Sequence, residues 1–223
     1  MAFKYEIEGE LVCKITGQGK FIAKKGCMVA YQGNFKFDKM LLGPENGGGF
    51  VGGLINQVTR KLTNENIELM TVSGDGIIYL AEEAAHIVVI DLDNDELCIE
   101  SENLLGFDES LEYGLRFIGV GILSQKGLVT SSLKGTGRVI IKSQGNPIIL
   151  ESPCVVDPDA VVCWTGNRDP RIKTDVSWKT FLGQSSGESY QFDFDWKGAT
   201  VIVQPCERKR STPPQRRGTG IID

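Results

Sequence analysis

Histidine is nearly missing from this chain: His86 is the only one in 223 residues. A histidine-based nucleophilic triad therefore has one possible base, and a histidine cluster around a metal cannot be built. His86 lies in Ala-Glu-Glu-Ala-Ala-His-Ile-Val-Val, at the entrance to an apolar run, where a structural role is expected. No Gly-x-Ser-x-Gly elbow occurs. Six cysteines are present (Cys13, Cys27, Cys98, Cys154, Cys163 and Cys206), but no two form a Cys-x-x-Cys pair, so the spacing of a zinc or dithiol site is missing. They read as small buried apolar residues in a reducing cytosol. No run approaches the roughly 18 apolar residues of a membrane span. The opening Met-Ala-Phe-Lys-Tyr-Glu-Ile-Glu carries charges where a secretory signal needs an apolar core, and a cytoplasmic location is expected.

Helical periodicity is scarce as well. Phe50, Leu54, Ile55, Val58 and Leu62 follow a glycine-rich loop at helical spacing and predict one short amphipathic helix. Val176, Trp178 and Leu182 mark a weaker second candidate. Elsewhere short apolar runs dominate, bounded by Gly, Asp, Asn or Pro: Lys20–Ala23, Ile77–Ala81, Ile87–Leu92, Val139–Ile141, Ile148–Leu150, Val161–Trp164 and Thr200–Val203. They are rich in Ile, Val and aromatics, as strands are.

Glycine is abundant, with 27 residues, and its placement is patterned. Gly17-Gln-Gly19, Gly74-Asp-Gly76 and Gly135-Thr-Gly137 each follow an apolar residue two positions earlier, and three apolar residues begin two positions after the second glycine. The copies lie roughly sixty residues apart, which suggests a repeated module of several strands. Because consecutive residues after each pair are apolar, both faces of those strands are expected to be buried, with the glycines at bulges or tight crossings.

These glycines do not make a nucleotide site. A dinucleotide fingerprint needs a third glycine opening a helix, and Ile22, Tyr79 and Ile140 occupy that place. Gly-Gly-Gly-Phe-Val-Gly-Gly-Leu lacks the Gly-Lys-Ser/Thr of a phosphate loop. Asp91-Leu-Asp-Asn-Asp95 resembles the start of a calcium loop, but Glu96 stands where the sharp turn needs glycine, so a solvated acidic hairpin turn is expected. No catalytic, cofactor-binding or metal-binding residues emerge.

The net charge is −5, yet the tail from Glu207 to Asp223 is basic. Arg208, Lys209, Arg210, Arg216 and Arg217 are its candidate nucleic-acid contacts, against an acidic body that suits nucleic acid poorly. Residues 1–206 are expected to form one compact unit with approximate halves 1–115 and 116–206, and 207–223 a flexible tail.

Four stretches carry a family resemblance: Lys24-Lys-Gly-Cys-Met-Val-Ala-Tyr-Gln-Gly-Asn34, the segment from Gly47 to Ala81, Leu104-Leu-Gly-Phe-Asp-Glu-Ser-Leu-Glu-Tyr-Gly114, and Leu133 to Asn167, with Gly198-Ala-Thr-Val-Ile-Val-Gln-Pro205 closing the match. In order and spacing the chain resembles the mitochondrial-biogenesis family named for altered inheritance of mitochondria, including its bacterial members. The resemblance implies a duplicated all-β fold of sandwich or barrel modules, similar to the tryptophan-RNA-binding attenuator protein and to double-stranded β-helices, with one or two short helices. It also implies assembly into rings, as trimers, and it carries over no catalytic residue.

The leading expectation is therefore a non-enzymatic, homo-oligomeric scaffold or interaction protein. RNA binding through the ring or the basic tail is the alternative, and small-ligand binding inside a barrel the third reading.

Overall fold

A computed structural model describes residues 3–40, 68–118, 128–174 and 190–208. The described residues are all-β. The strands are β1 (Lys4–Glu8), β2 (Val12–Lys24), β3 (Met28–Lys39), β4 (Leu69–Leu80), β5 (His86–Glu100), β6 (Leu104–Asp108), β7 (Glu112–Ile118), β8 (Leu128–Ser143), β9 (Ile148–Glu151), β10 (Cys154–Val156), β11 (Val161–Thr165), β12 (Arg171–Thr174), β13 (Tyr190–Phe194) and β14 (Thr200–Val203). A single 3-10 turn, Ser101–Asn103, joins β5 to β6. Both expected helices, around 50–62 and 176–182, lie outside the described residues.

Every apolar run singled out in the sequence falls in a strand, with Ala81 alone one residue past the end of β4, and the glycine pairs lie within strands. β2, β4 and β8 run straight through Gly17 and Gly19, Gly74 and Gly76, and Gly135 and Gly137. The reason is visible where β4 lies between β2 and β3. Gly17 is opposite Gly76 and Gly19 opposite Gly74, while Gly33 of β3 faces Gly76 from the other side. A Cβ at Gly74 would lie 1.9 Å from the Asn34 carbonyl oxygen, and their φ angles, +149° at Gly74 and +135° at Gly76, are ones L side chains rarely adopt. Two of the three sequence occurrences thus meet at one tight crossing.

The larger sheet has eleven strands, nine of them in the order β3-β4-β2-β6-β8-β5-β11-β14-β9, with β1 added to β2 and β7 to β8. β6 lies between β2 and β8, near the middle. Its residues Gly106 to Asp108 pair with Phe21 to Ala23 of β2, and Leu104 to Phe107 pair with Val139 to Ile141 of β8. β1 and β7 flank the other ends of β2 and β8 in matching fashion.

This arrangement buries consecutive residues. Phe21, Ala23, Leu105 and Ile140 enter one apolar cluster with Ile15, Val72, Ile78 and Leu80. Their neighbours Ile22, Leu104, Phe107, Val139 and Ile141 enter the opposite cluster with Leu97, Ile99 and Leu133. Alternation of side chains along β2 and β8 sends neighbours to two separate cores, and the bulge between Leu104 and Gly106 puts Leu105 and Phe107 on opposite faces. Full burial of each large side chain stabilises by about 1.5–3 kcal/mol. A third cluster lies under the small sheet β10-β13-β12, where Phe192 and Phe194 pack on Trp164, Cys98 and Val201.

Asp91 to Asp95 does not form a hairpin turn. It lies inside β5, where the pairing to β8 shifts between Leu92 and Asp95 and Asn94 adopts φ +53°. The extra residues are absorbed as a bulge because the strand continues to Glu100 against β8. His86 opens the same strand, its Nδ1 3.6 Å from a Glu10 carboxylate oxygen.

Candidate functional site

A cleft of about 460 Å³ opens where β2, β5, β8 and the β6–β7 turn converge. Its floor includes Gly19, Gly137 and the ring edge of Phe3. A Cβ at Gly137 would stand 2.8 Å from Ser110 Oγ and 3.2 Å from Asp108 Cβ, so the turn packs closely on β8 and any side chain here would have to displace Ser110.

Behind this floor is a polar brace. Asp108 accepts the Tyr5 hydroxyl on Oδ1 and the backbone N–H of Arg138 on Oδ2, the latter at 2.8 Å. Burial, followed by the bond to Asp108, pushes the Tyr5 hydroxyl far above its ordinary range, so it stays a donor. Arg138 crosses the Tyr5 ring, its guanidinium carbon 5.1 Å from the centroid. Its Nε donates to Asp91 Oδ1 at 3.2 Å and its Nη1 to the Phe3 carbonyl at 3.0 Å. Lys20 and Glu109 form a loose rim pair at 3.4 Å. Ser110 Oγ donates to the Thr136 carbonyl at 2.9 Å, tying turn to strand. Sequence reasoning passed over Tyr5, Asp108 and Arg138, which are far apart along the chain and belong to no shared motif.

The second notable surface is the outer strand of the larger sheet. β3 has twelve residues and no described strand beyond it. Val29 is 58% and Tyr31 47% exposed. Tyr31 meets Phe35 and Phe37 edge-on, with centroids 5.9 and 5.5 Å apart, continuing the apolar face beyond Val72 and Ile78. At the opposite end of the sheet, β9 exposes Ile148 and Ile149.

Of the five basic tail residues expected to touch nucleic acid, only Arg208 is described, and its side chain is turned into the protein. Its Nη2 donates to Asn103 Oδ1 at 2.8 Å and to the Val161 carbonyl at 2.7 Å, and its Nε lies 3.4 Å from Glu102. Only 11% of the side chain is exposed. Lys209, Arg210, Arg216 and Arg217 lie outside the described residues. All six cysteines are reduced, and four are fully buried. No helix among the described residues is long and apolar enough to cross a membrane.

Comparison with known proteins agrees with this architecture. A crystal structure of a protein from Streptococcus pyogenes superposes with a TM-score of 0.65, over 92% of this chain and 94% of that one, at 18% identity; this likeness speaks for the fold alone. Comparison with curated proteins gave no match. The model of the family described as mitochondrial biogenesis AIM24 matches residues 5–206, nearly the whole described body. The chain belongs to the AIM24 mitochondrial-biogenesis family.

Proposed function

We infer that the protein is a non-enzymatic, self-assembling interaction module of the cytoplasm. The observation that carries this reading is the unpaired outer side of β3 among the described residues, with Val29 and Tyr31 half exposed beside a row of aromatics. A long apolar edge strand is an aggregation hazard in a monomer and a ready template for a neighbour. The same sheet ends on its other side in β9, whose Ile149 is 65% exposed. Two unlike apolar edges on one sheet favour head-to-tail pairing, and such contacts close into a ring when the rotation between neighbours allows it. A ring of three is the assembly we expect.

Native mass spectrometry tests this reading. Multiples of the 24.4 kDa chain are expected, and the double variant Val29→Lys, Tyr31→Lys should run as a single chain. A wild-type mass of one chain across micromolar concentrations would overturn it. RNA binding is the lesser reading, since the Arg208 guanidinium is already engaged.

A further inference from the structure

The cleft over Gly19 and Gly137 presents charge of both signs on supports that hold them in place. Asp108 is used up by its two bonds, to Tyr5 and to the Arg138 backbone. Arg138 is fixed by the Tyr5 ring, Asp91 and the Phe3 carbonyl, while its outer nitrogen Nη2 makes no hydrogen bond to any described residue. Among the described residues the Lys20 ammonium is tied only by its long rim contact, and more than half of its side chain faces solvent. Beside these donors, Asp91 is 83% exposed beyond its bond to Arg138, and Glu109 is exposed beyond its contact with Lys20. Gln18 adds an exposed amide at the mouth. Carbon surface lines the cleft between these charges, although Phe3 and Leu92 are themselves buried.

A lone anion would meet Arg138 already neighboured by Asp91, and a lone cation would meet Lys20 beside Glu109. A ligand carrying both charges on one short skeleton answers both pairs. A planar carboxylate suits the Nη2 side of a guanidinium held in a fixed plane, with Lys20 as second donor. An ammonium then lies toward Asp91 and Glu109. Because the brace holds the walls before binding, little ordering remains to oppose it. We propose that this cleft is a binding site for a small zwitterion of the amino-acid class. The site is independent of β3 and of assembly.

The test uses the full-length protein and ligand-observed saturation-transfer NMR. The probes are the twenty amino acids in small pools, with acetate and ethylammonium as single-charge controls. At least one amino acid is expected to receive saturation while neither control does. Lys20→Gln and Asp91→Asn alter exposed side chains, and each should weaken binding about tenfold, the loss of one charge-assisted contact. Thermal melts of both variants verify that they fold. Silence from every amino acid overturns the proposal, as does equal saturation of acetate alone. Binding that is undiminished in both folded variants overturns it too, because the ligand then sits elsewhere.

Discussion

Gly76 lies so close to Gln32 that a Cβ on the glycine would sit 2.1 Å from the Gln32 carbonyl oxygen. Backbone cannot yield there without breaking the pairing of β3 with β4. Gly76→Ala should therefore destabilise the protein by about 3 kcal/mol, combining backbone strain with the clash. Gly26→Ala is the control: its φ is +91° but nothing lies within 4 Å, so only the conformational cost of about 1 kcal/mol applies. Urea unfolding midpoints of the two variants measure the difference.

A charged cluster between β8 and the turn after β4 should set the pH range of stability. Lys142, 7% exposed, donates to Glu82 at 2.5 Å and Glu83 at 2.7 Å, and Glu82 also accepts from Lys24 at 2.8 Å. Burial alone would push the Glu82 carboxyl up, but bonds from Lys142 and Lys24 together outweigh it and hold the carboxyl below its ordinary 4.5. A depressed carboxyl contributes stability that is present above its unfolded value and lost as pH falls through the folded one. Burial likewise opposes the Lys142 charge, yet Glu82 and Glu83 raise its pKa above 10.5, so its contribution holds below that value and fades as pH rises further. The melting temperature should drop below about pH 4.5, and less steeply in Glu82→Gln. Lys142→Met should cost about 2 kcal/mol at neutral pH, because Glu82 keeps only one partner.

Thiol reactivity should separate the cysteines cleanly. Burial pushes Cys13 and Cys27 up to about 12 and Cys98 up to about 11, and Cys163 is raised by burial as well. Cys206 is exposed. A disulfide reagent at pH 8 should titrate Cys206 at once and Cys154 slowly. Cys13, Cys27, Cys98 and Cys163 should react only after denaturant is added.

Arg208 should behave as an anchor of the body. Truncation after Arg208 should leave the melting temperature within a degree or two, whereas Arg208→Ala should cost about 2 kcal/mol by leaving the Asn103 and Val161 acceptors unmatched. Calorimetry of the two proteins gives the comparison.

The sequence made the strands readable because their signal is local: Val139–Ile141 and Phe21–Ala23 announce double burial by consecutive apolar residues. Strand length was less legible. The glycine pairs were legible as bulges or tight crossings, but only the register of Gly17 on Gly76 shows how far the strands run through them. The bulge at Asn94 was hidden for the opposite reason, since an acidic run looks like a turn until its partner strand is known. The cleft was not legible at all. Tyr5, Asp108 and Arg138 come from three distant strands, and no spacing in a sequence encodes a meeting of that kind. Arg208 misled through composition, as a basic tail suggests solvent while its first arginine is packed.

The place of β6 between β2 and β8 has a consequence for biosynthesis. β2, β3 and β4 can pair as soon as β4 leaves the ribosome, but the inner edge of β2 waits for Gly106 to Asp108. The far side of β6 waits longer still, for Val139 to Ile141. Until then the nascent chain displays an apolar strand edge that later becomes interior. Such long-range closure folds slowly and invites mispairing, so this protein should depend on holding chaperones during synthesis more than its modest size suggests.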